Sequence, residues 1–372
     1  MRTLLLFLPL WLIAVSQNAQ QLTGVVFDRE NNEPVMNAHV YIEGSSLHDV
    51  TNLDGKFDIT INSVVNLPLV ITHVMYQTTT VSNPFSFLPD TIFVEEKINL
   101  LGEVTVQPER YSRRQLLRAF RREFLGNSLG AASCIIENEE KIEIWFNSLT
   151  HTLSASCDEP VLINNRYLGY QIYLTLEKFK VEYPGRLLGV GFPLQVSLEG
   201  SVFFEDLTPS NQTIAKRREN AFTGSPPHFL RLLAHEQLIS ADYILHGIQD
   251  RTEVEPRLCF IVHGFSGNKQ VRVTPRLKPD DLVFSTYHGR LFFGEIGVKR
   301  NRTEVSRVIF FKDTLLIDDW GNLSNPDDVL FMGHMGHFRM GDQLPADYVT
   351  TRLLPLKNPS SGSVKKERRL KY

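Results

Sequence analysis

The chain has 372 residues, of which 42% are hydrophobic and 22% are charged, and its formal net charge is -3. This length predicts two or three domains, and the apolar content is ordinary for a globular protein. A slightly acidic chain lacks the basic field that broad nucleic-acid binding requires, so no nucleic-acid partner is predicted.

Residues 1–19 have the features of an export signal. Arg2 supplies the positive charge, and the apolar run 4–15 is too short to span a bilayer comfortably. Cleavage is expected near Ser16 or after Ala19. No cysteine lies near either position to carry a lipid anchor, and no later stretch predicts a transmembrane helix. We therefore expect an exported protein of the periplasm or cell envelope.

Residues 20–107 predict a small β-sandwich. The apolar side chains of Ala38, Val40 and Ile42 alternate with polar ones, which is typical of a strand with one buried face. Segment 51–55 ends in Asp-Gly and predicts a tight turn, because glycine tolerates positive φ and aspartate bonds its own backbone. A binding or scaffold module, rather than a catalytic one, therefore opens the mature protein.

Five sequence elements occur in order within this range. They are Gly24-Val-Val, Pro34-Val with Ala38 and Val40, Gly44, Thr51-Asn-Leu-Asp-Gly55-Lys-Phe57, and Leu101-Gly-Glu-Val-Thr-Val106. Together they resemble the carboxypeptidase-like regulatory domain family. The resemblance implies a transthyretin-like β-sandwich, which often precedes outer-membrane transporters or occurs on other envelope proteins. It implies no peptidase activity.

A linker helix is predicted within residues 108–130. Ser112 and Gln115 form a capping box, and Gly126 is a natural stop. Five arginines crowd the side opposite its apolar stripe: Arg113, Arg114, Arg118, Arg121 and Arg122. This side is either a docking face for an acidic lipid or partner, represented by Arg118 and Arg121, or a solvated face.

Residues 131–355 predict a larger β-rich α+β domain, since most of its segments alternate or run apolar. A second helix is predicted for 225–239, where Ser225 can cap the helix and Pro226 and Pro227 suit its first turn. Residues 356–372 are polar and basic and predict a disordered tail. The predicted fold class is mainly β: a transthyretin-like sandwich followed by this larger domain.

Four further motifs lie in the second region. They are Phe124-Leu-Gly126 with Cys134, Asn164-Asn-Arg-Tyr167-Leu-Gly-Tyr170, Phe222-Thr-Gly-Ser225 with His228-Phe229, and Asp342-Gln-Leu-Pro345-Ala-Asp-Tyr348. They resemble an uncharacterised C-terminal region that accompanies the regulatory-like domain in envelope proteins. The resemblance implies architecture and no chemistry.

The three cysteines are too few for a disulfide scaffold. Cys134 and Cys157 either form a bridge in an oxidising periplasm or are buried free thiols. We favour free thiols, because cysteine packs well as a small apolar residue.

Three segments resemble catalytic or metal-binding motifs incompletely. His235 begins a zincin-like motif, but Ile239 stands where the second histidine ligand must be. Ser128 lies in a Gly-x-Ser-x-Gly pattern, but a helix precedes it where a nucleophile elbow needs a strand. His334 and His337 are the best metal candidates, yet no third ligand is specified. We therefore predict no catalytic residue, no metal and no cofactor.

A polar group around the second helix remains. Its members are Arg217, Arg218, Asn220, His228 and Arg231. They form either an anion-binding cluster near a helix N-terminus or an exposed polar loop and helix face.

These observations favour a non-catalytic binding or assembly protein at the periplasmic face of the outer membrane. Its expected partner is an envelope protein or a glycan, and peripheral association with the membrane is expected. The exposed strand edges of a sandwich could pair with a partner strand. The alternative is a periplasmic hydrolase acting on peptide or glycan, which a convergent catalytic cluster in one pocket would favour.

The predicted export signal leads to the first testable prediction. N-terminal sequencing of the mature protein should give a start close to Gln17 or Gln20, because cleavage is expected near Ser16 or after Ala19. Recovery of the protein in the cytoplasm with Met1 intact would contradict export.

Overall fold

The structure is a computed structural model, and it describes residues 20–61, 67–97, 110–191, 193–264, 268–277, 286–287 and 289–350. The predicted export signal, the last sequence element of the family resemblance at 101–106 and the predicted tail lie outside the described residues. The fold is mainly β and contains several sheets, which confirms the predicted fold class.

The N-terminal part is a sandwich of two sheets. Its strands β1 to β7 are Gln20–Asp28, His39–Ile42, His48–Val50, Lys56–Ile61, Leu69–Thr72, Thr79–Val81 and Thr91–Val94. One sheet has the order β4-β1-β7 and the other β3-β2-β5-β6. Strand β1 pairs antiparallel with β4 and parallel with β7. Apolar side chains from both sheets form one core between them.

Local sequence explains the sandwich. Along β4 the apolar side chains Phe57, Ile59 and Ile61 are buried while the residues between them are exposed. Gly55 has φ +74°, and a Cβ there would lie 2.5 Å from the Val26 carbonyl oxygen. Only glycine fits this turn, as the Asp-Gly pair predicted.

The middle part is one six-stranded antiparallel sheet. Its strands β8 to β13 are Cys134–Ile136, Glu143–Asn147, Thr152–Ser156, Val161–Asn165, Tyr170–Glu182 and Gln195–Asp206. The long strand β12 pairs with β11 and β10 in turn along one edge and with β13 along the other. This strand therefore organises the whole sheet.

The predicted linker helix belongs to the core of this sheet. Helix α1 spans Arg113–Phe124, and the short α2 spans Leu129–Ala132. The Ser112 N–H donates to Gln115 Oε1 at 2.9 Å, as the capping box predicts. Phe120 and Phe124 pack edge-on against Phe179 of β12. Helix α1 is thus a packed element rather than a spacer.

Two further helices follow β13. Helix α3 spans Gln212–Phe222, and Asn211 caps it by accepting from the Thr213 and Ile214 N–H groups. Helix α4 spans Pro226–Ala234, with the predicted Ser225 cap and two prolines in its first turn. It ends before Ile239, which begins a 3₁₀ turn over Ile239–Ala241. The short helix α5 spans Pro256–Cys259.

The C-terminal part contains strands β14 to β23, which are Ile244–His246, Glu253–Val254, Phe260–His263, Lys269–Val273, Thr286–Tyr287, Arg290–Leu291, Gly294–Lys299, Val305–Phe310, Thr314–Ile317 and Val329–Gly333. They form two sheets of order β15-β14-β20-β21-β23 and β16-β17-β22, which pack with α4, and the separate pair β18-β19. The core of this part is separate from that of the middle sheet, so the range predicted as one domain has two hydrophobic cores.

The sandwich docks on the free edge and face of β13. The Gly44 N–H donates to the Val202 carbonyl at 2.7 Å, and the Phe204 N–H donates to the Ser45 carbonyl at 2.9 Å. The Tyr41 hydroxyl lies 2.6 Å from Ser201 Oγ. Tyr41 and Phe203 are buried together with Val70 in a small apolar cluster. The contact therefore combines strand-like hydrogen bonds with aromatic packing.

The last described residues, 338–350, run past all three parts, and we call them the crossing segment. Its Gly341 N–H donates to the Leu125 carbonyl at 3.0 Å, and its Ala346 N–H donates to the Gly44 carbonyl at 2.7 Å. The Tyr348 carbonyl accepts from Arg231 of α4 at 3.1 Å. One irregular stretch of chain thus contacts the sandwich, the middle part and the C-terminal part.

All three cysteines are free thiols in this structure. Cys157 and Cys259 are buried, and Cys134 is half-buried. Among the described residues, no helix has the length and apolarity needed to span a membrane.

The sandwich has its own hydrophobic core, and the second prediction follows from this. A fragment of residues 20–107 should fold alone and give a dispersed amide NMR spectrum. Its cut surface exposes Tyr41 and Val70, so the fragment should also self-associate more than its Tyr41→Thr/Val70→Thr variant. A collapsed, poorly dispersed spectrum for both fragments would show that the sandwich needs the rest of the chain.

Candidate functional site

A cavity of about 440 Å³ lies where the middle sheet, helices α3 and α4 and the crossing segment meet, and Gly44 of the sandwich reaches its wall. This volume falls within the usual range of small-molecule sites. Its walls are largely apolar and aromatic: Phe124, Phe179, Val196, Leu198, Ala221, Phe222, Pro226, Pro227, Trp320, Phe338, Met340, Leu344, Pro345 and Ala346. Polar and charged side chains interrupt this lining at a few positions.

Arg231 is the most unusual of these side chains, because it is only 1% exposed. Its Nε donates to the Trp320 carbonyl at 2.7 Å, and its Nη2 donates to the Tyr348 carbonyl at 3.1 Å. Its Nη1 is buried and has no hydrogen-bond partner among the described residues. The guanidinium lies 4.6 Å from the ring centre of Phe222 and 5.4 Å from that of Trp320. An unsatisfied cationic donor therefore lies at an aromatic-walled cavity.

A turn after β22 presents the Trp320 carbonyl to Arg231. The Asp318 carboxylate accepts from the backbone N–H groups of Trp320 and Asn322, at 2.9 and 2.8 Å, and fixes the turn. Gly321 has φ +88°, and a Cβ there would lie 2.4 Å from the Pro227 carbonyl oxygen of α4. Glycine is required for this close approach, so the turn and α4 fit together tightly.

Burial makes the protonated, charged form of Arg231 less stable. Loss of solvation lowers the pKa of Arg231 to about 10, although Asp318, Tyr348 and Glu219 oppose the shift. Glu219 is itself engaged, because it accepts hydrogen bonds from Tyr348 and Thr350 of the crossing segment. The side chain nevertheless remains a cation at neutral pH, so a charge is kept in an apolar wall.

The other carboxyl and guanidinium groups of the lining are Glu123, Asp342 and Arg339. Glu123 is offset by Arg122, whose Nε donates to Glu123 Oε1 at 2.7 Å. Burial raises the pKa of Asp342, and a bond from Ser128 only partly opposes this. Burial lowers the pKa of Arg339, which donates to the Gly336 and Phe338 carbonyls. Among these lining residues, Arg231 is the one that keeps a buried donor without a partner, and this donor belongs to a largely apolar wall.

Comparison with known proteins identifies the first part of the chain. Residues 22–106 match the family described as the CarboxypepD_reg-like domain. These residues are therefore a carboxypeptidase-regulatory-like domain, as the sequence resemblance indicated. The C-terminal region has no family match. No curated protein matches the chain.

The regulatory-like domain contributes little to the cavity. Among the described residues of the domain, Gly44 alone, in the turn after β2, lines the cavity. The neighbouring Ser46 donates its hydroxyl to Asp347 at 2.6 Å and its N–H to the same carboxylate at 2.8 Å. The domain therefore helps to position the crossing segment that closes the site.

The predicted polar cluster on α3 is divided by the structure. Arg218 is buried and ion-paired with Asp206, with both Nη atoms 2.7 Å from its carboxylate oxygens, and it stacks on Tyr170. Burial alone would raise the pKa of Asp206, but the Arg218 bond helps to lower it. Arg217 is half-buried over the ring of Tyr167, and Asn220 is exposed. Arg218 is thus a structural group, while Arg217 and Asn220 face solvent.

The remaining predicted binding residues lie in different environments. His228 is half-buried and lies 3.0 Å from the Tyr243 hydroxyl, and burial with nearby Arg300 lowers its pKa to about 4. Its imidazole is therefore neutral at neutral pH. On α1, Arg121 is exposed but ion-paired with Glu139, and Arg118 is exposed. Of the predicted residues only Arg231 lines the cavity.

The motif-like segments have structural explanations. Ser128 caps α2 by accepting from the Ala131 N–H at 3.0 Å. His235 ends α4, with Nε2 3.2 Å from the Asp319 carbonyl oxygen. His334 packs edge-on against Phe338, while His337 is exposed. Within the described residues, no group of three or more His, Cys, Asp and Glu side chains is placed to hold a metal ion.

Sequence reasoning placed Arg231 in a helix but missed the groups around it. Trp320 and Tyr348 present backbone carbonyls, which carry no sequence signal of their own. Residues 342–348 resemble an uncharacterised region of other proteins, and this resemblance predicts no contact with Arg231. A turn pattern in Asp318-Asp-Trp-Gly-Asn322 was the one local signal that could have directed attention there.

The third prediction separates adjacent arginines. Arg218→Ala should lower the free energy of unfolding by about 3 kcal/mol, because it leaves the half-buried Asp206 carboxylate without its partner. Arg217→Ala should change it by less than about 1 kcal/mol, since Arg217 is only half-buried. Urea unfolding of both variants measures the difference. Equal losses would contradict the structural role assigned to Arg218.

Proposed function

We propose that this chain is a non-catalytic binding protein of the cell envelope, exported to the periplasm and acting at the periplasmic face of the outer membrane. The single observation that carries the binding role is the unpartnered Nη1 of Arg231 at a cavity of about 440 Å³. Proteins rarely leave a buried cationic donor unsatisfied, because its desolvation is then uncompensated. A ligand in the cavity supplies the missing partner.

The envelope location rests on the sequence. The charged start and the short apolar run at 1–19 favour export. The motifs within residues 22–106 resemble a domain family whose members often occur on envelope proteins. Peripheral association with the membrane and an envelope protein or glycan as partner belong to the same proposal.

The fourth prediction tests the cavity as the binding site. Val196→Trp should fill part of the cavity and exclude a ligand by overpacking. The amount of envelope material that the full-length protein retains should therefore fall by about tenfold or more. Leu194→Trp is the matched control, because Leu194 is 46% exposed and does not line the cavity. Mass spectrometry of material eluted from wild type and both variants measures retention.

Thermal unfolding of the same variants must show that both remain folded. Retention that survives Val196→Trp would reject the cavity as the binding site. Recovery of the wild type in the cytoplasm would reject the envelope location. Turnover of a cell-wall peptide or glycan by the wild type would reject the non-catalytic function in favour of a hydrolase.

A further inference from the structure

The cavity combines a buried arginine that keeps an unpaired donor with a largely apolar lining. Arg231 uses Nε for the Trp320 carbonyl and one N–H of Nη2 for the Tyr348 carbonyl. Nη1, with its two N–H groups, has no hydrogen-bond partner among the described residues. A carboxylate is a strong acceptor for such a donor, because both partners of the hydrogen bond are then charged.

From this we infer the ligand class: an amphipathic monocarboxylate, whose carboxylate pairs with Arg231 and whose acyl or aryl body lies along the aromatic wall. The inference rests on the proposed binding function and adds the chemistry of the ligand.

The charged groups of the lining favour a ligand with a single negative charge. Arg231 is the lining cation with an unpaired donor, while Arg339 already donates to two carbonyls and Glu123 is offset by Arg122. A dianion such as a phosphate monoester would bring a second charge without a second free cation in the wall. Burying that charge would be strongly unfavourable.

The size and the apolar lining of the cavity favour a ligand whose remaining part is apolar. Phe124, Phe179, Phe222, Trp320 and Phe338 contribute rings to the lining, and aliphatic side chains fill the spaces between them. A cavity of about 440 Å³ holds roughly fifteen groups of the size of a water molecule. Decanoate is of this size, so it is a suitable probe.

The fifth prediction is a binding measurement with decanoate. Calorimetric titration of the full-length protein should show decanoate binding at least about tenfold more tightly than decanol, because only the carboxylate brings a negative charge to Arg231. Arg231→Lys should remove most of this preference, since a lysine ammonium is a single compact donor group and places no N–H at the position of Nη1. Val196→Trp should weaken both probes, and Leu194→Trp should weaken neither.

Trp320 reports binding at this site directly. The chain has three tryptophans, so Trp11→Phe/Trp145→Phe leaves Trp320 as the single emitter. Its fluorescence should change on adding decanoate, with the same midpoint as the calorimetric titration. This readout also covers the case in which Arg231→Lys fails to fold, because it needs no change at Arg231.

Equal affinity for decanoate and decanol, or decanoate binding that leaves Trp320 emission unchanged, would overturn the inferred ligand class. If decanoate fails while envelope retention still depends on the cavity, the ligand class is wrong and the binding function stands. If Val196→Trp also leaves envelope retention unchanged, the binding site itself is wrong.

Discussion

The crossing segment is the constraint on which the arrangement of the three parts depends. It has no strand between residues 338 and 350, so its backbone groups must find partners elsewhere. Gly341 finds Leu125 beside α1, Ala346 finds Gly44 of the sandwich, and Tyr348 finds Arg231 of α4. Because a buried backbone group without a partner is costly, these bonds specify one placement of all three parts and close the cavity between them.

Two buried arginines show how differently the fold treats a charge. Arg218 lies against the Asp206 carboxylate, two carbonyls and the Tyr170 ring, so its desolvation is compensated within the chain. Arg231 is more deeply buried, yet it bonds only carbonyl oxygens and keeps Nη1 unsatisfied. Stability alone favours the first arrangement. The second is understandable when the free donor has a ligand to bind, which links the local electrostatics to the proposed function.

The sequence predicted elements whose causes are local. The Asp-Gly turn at 54–55, the Ser112–Gln115 capping box and the Ser225 cap with two prolines all appear, because each depends on residues within one turn. The sequence could not show which of the adjacent residues Arg217 and Arg218 is buried. Neighbouring helix residues point in different directions, and only β12 and Asp206 decide which arginine is buried. Long-range pairing has no local signature, so the role of α1 in the core and the crossing segment were also missed.

The same reasoning explains why the cavity escaped prediction while its key residue did not. The sequence names Arg231 as one member of a candidate anion-binding cluster around the second helix, but the walls of the cavity come from the middle sheet, α3, α4 and the crossing segment. A ligand that contacts all of these binds only the docked arrangement. By linkage, it then stabilises that arrangement by about 2.7 kcal/mol at a concentration one hundred times its dissociation constant. The proposed carboxylate would therefore give Arg231 what Asp206 gives Arg218: a charged acceptor in direct contact with the guanidinium.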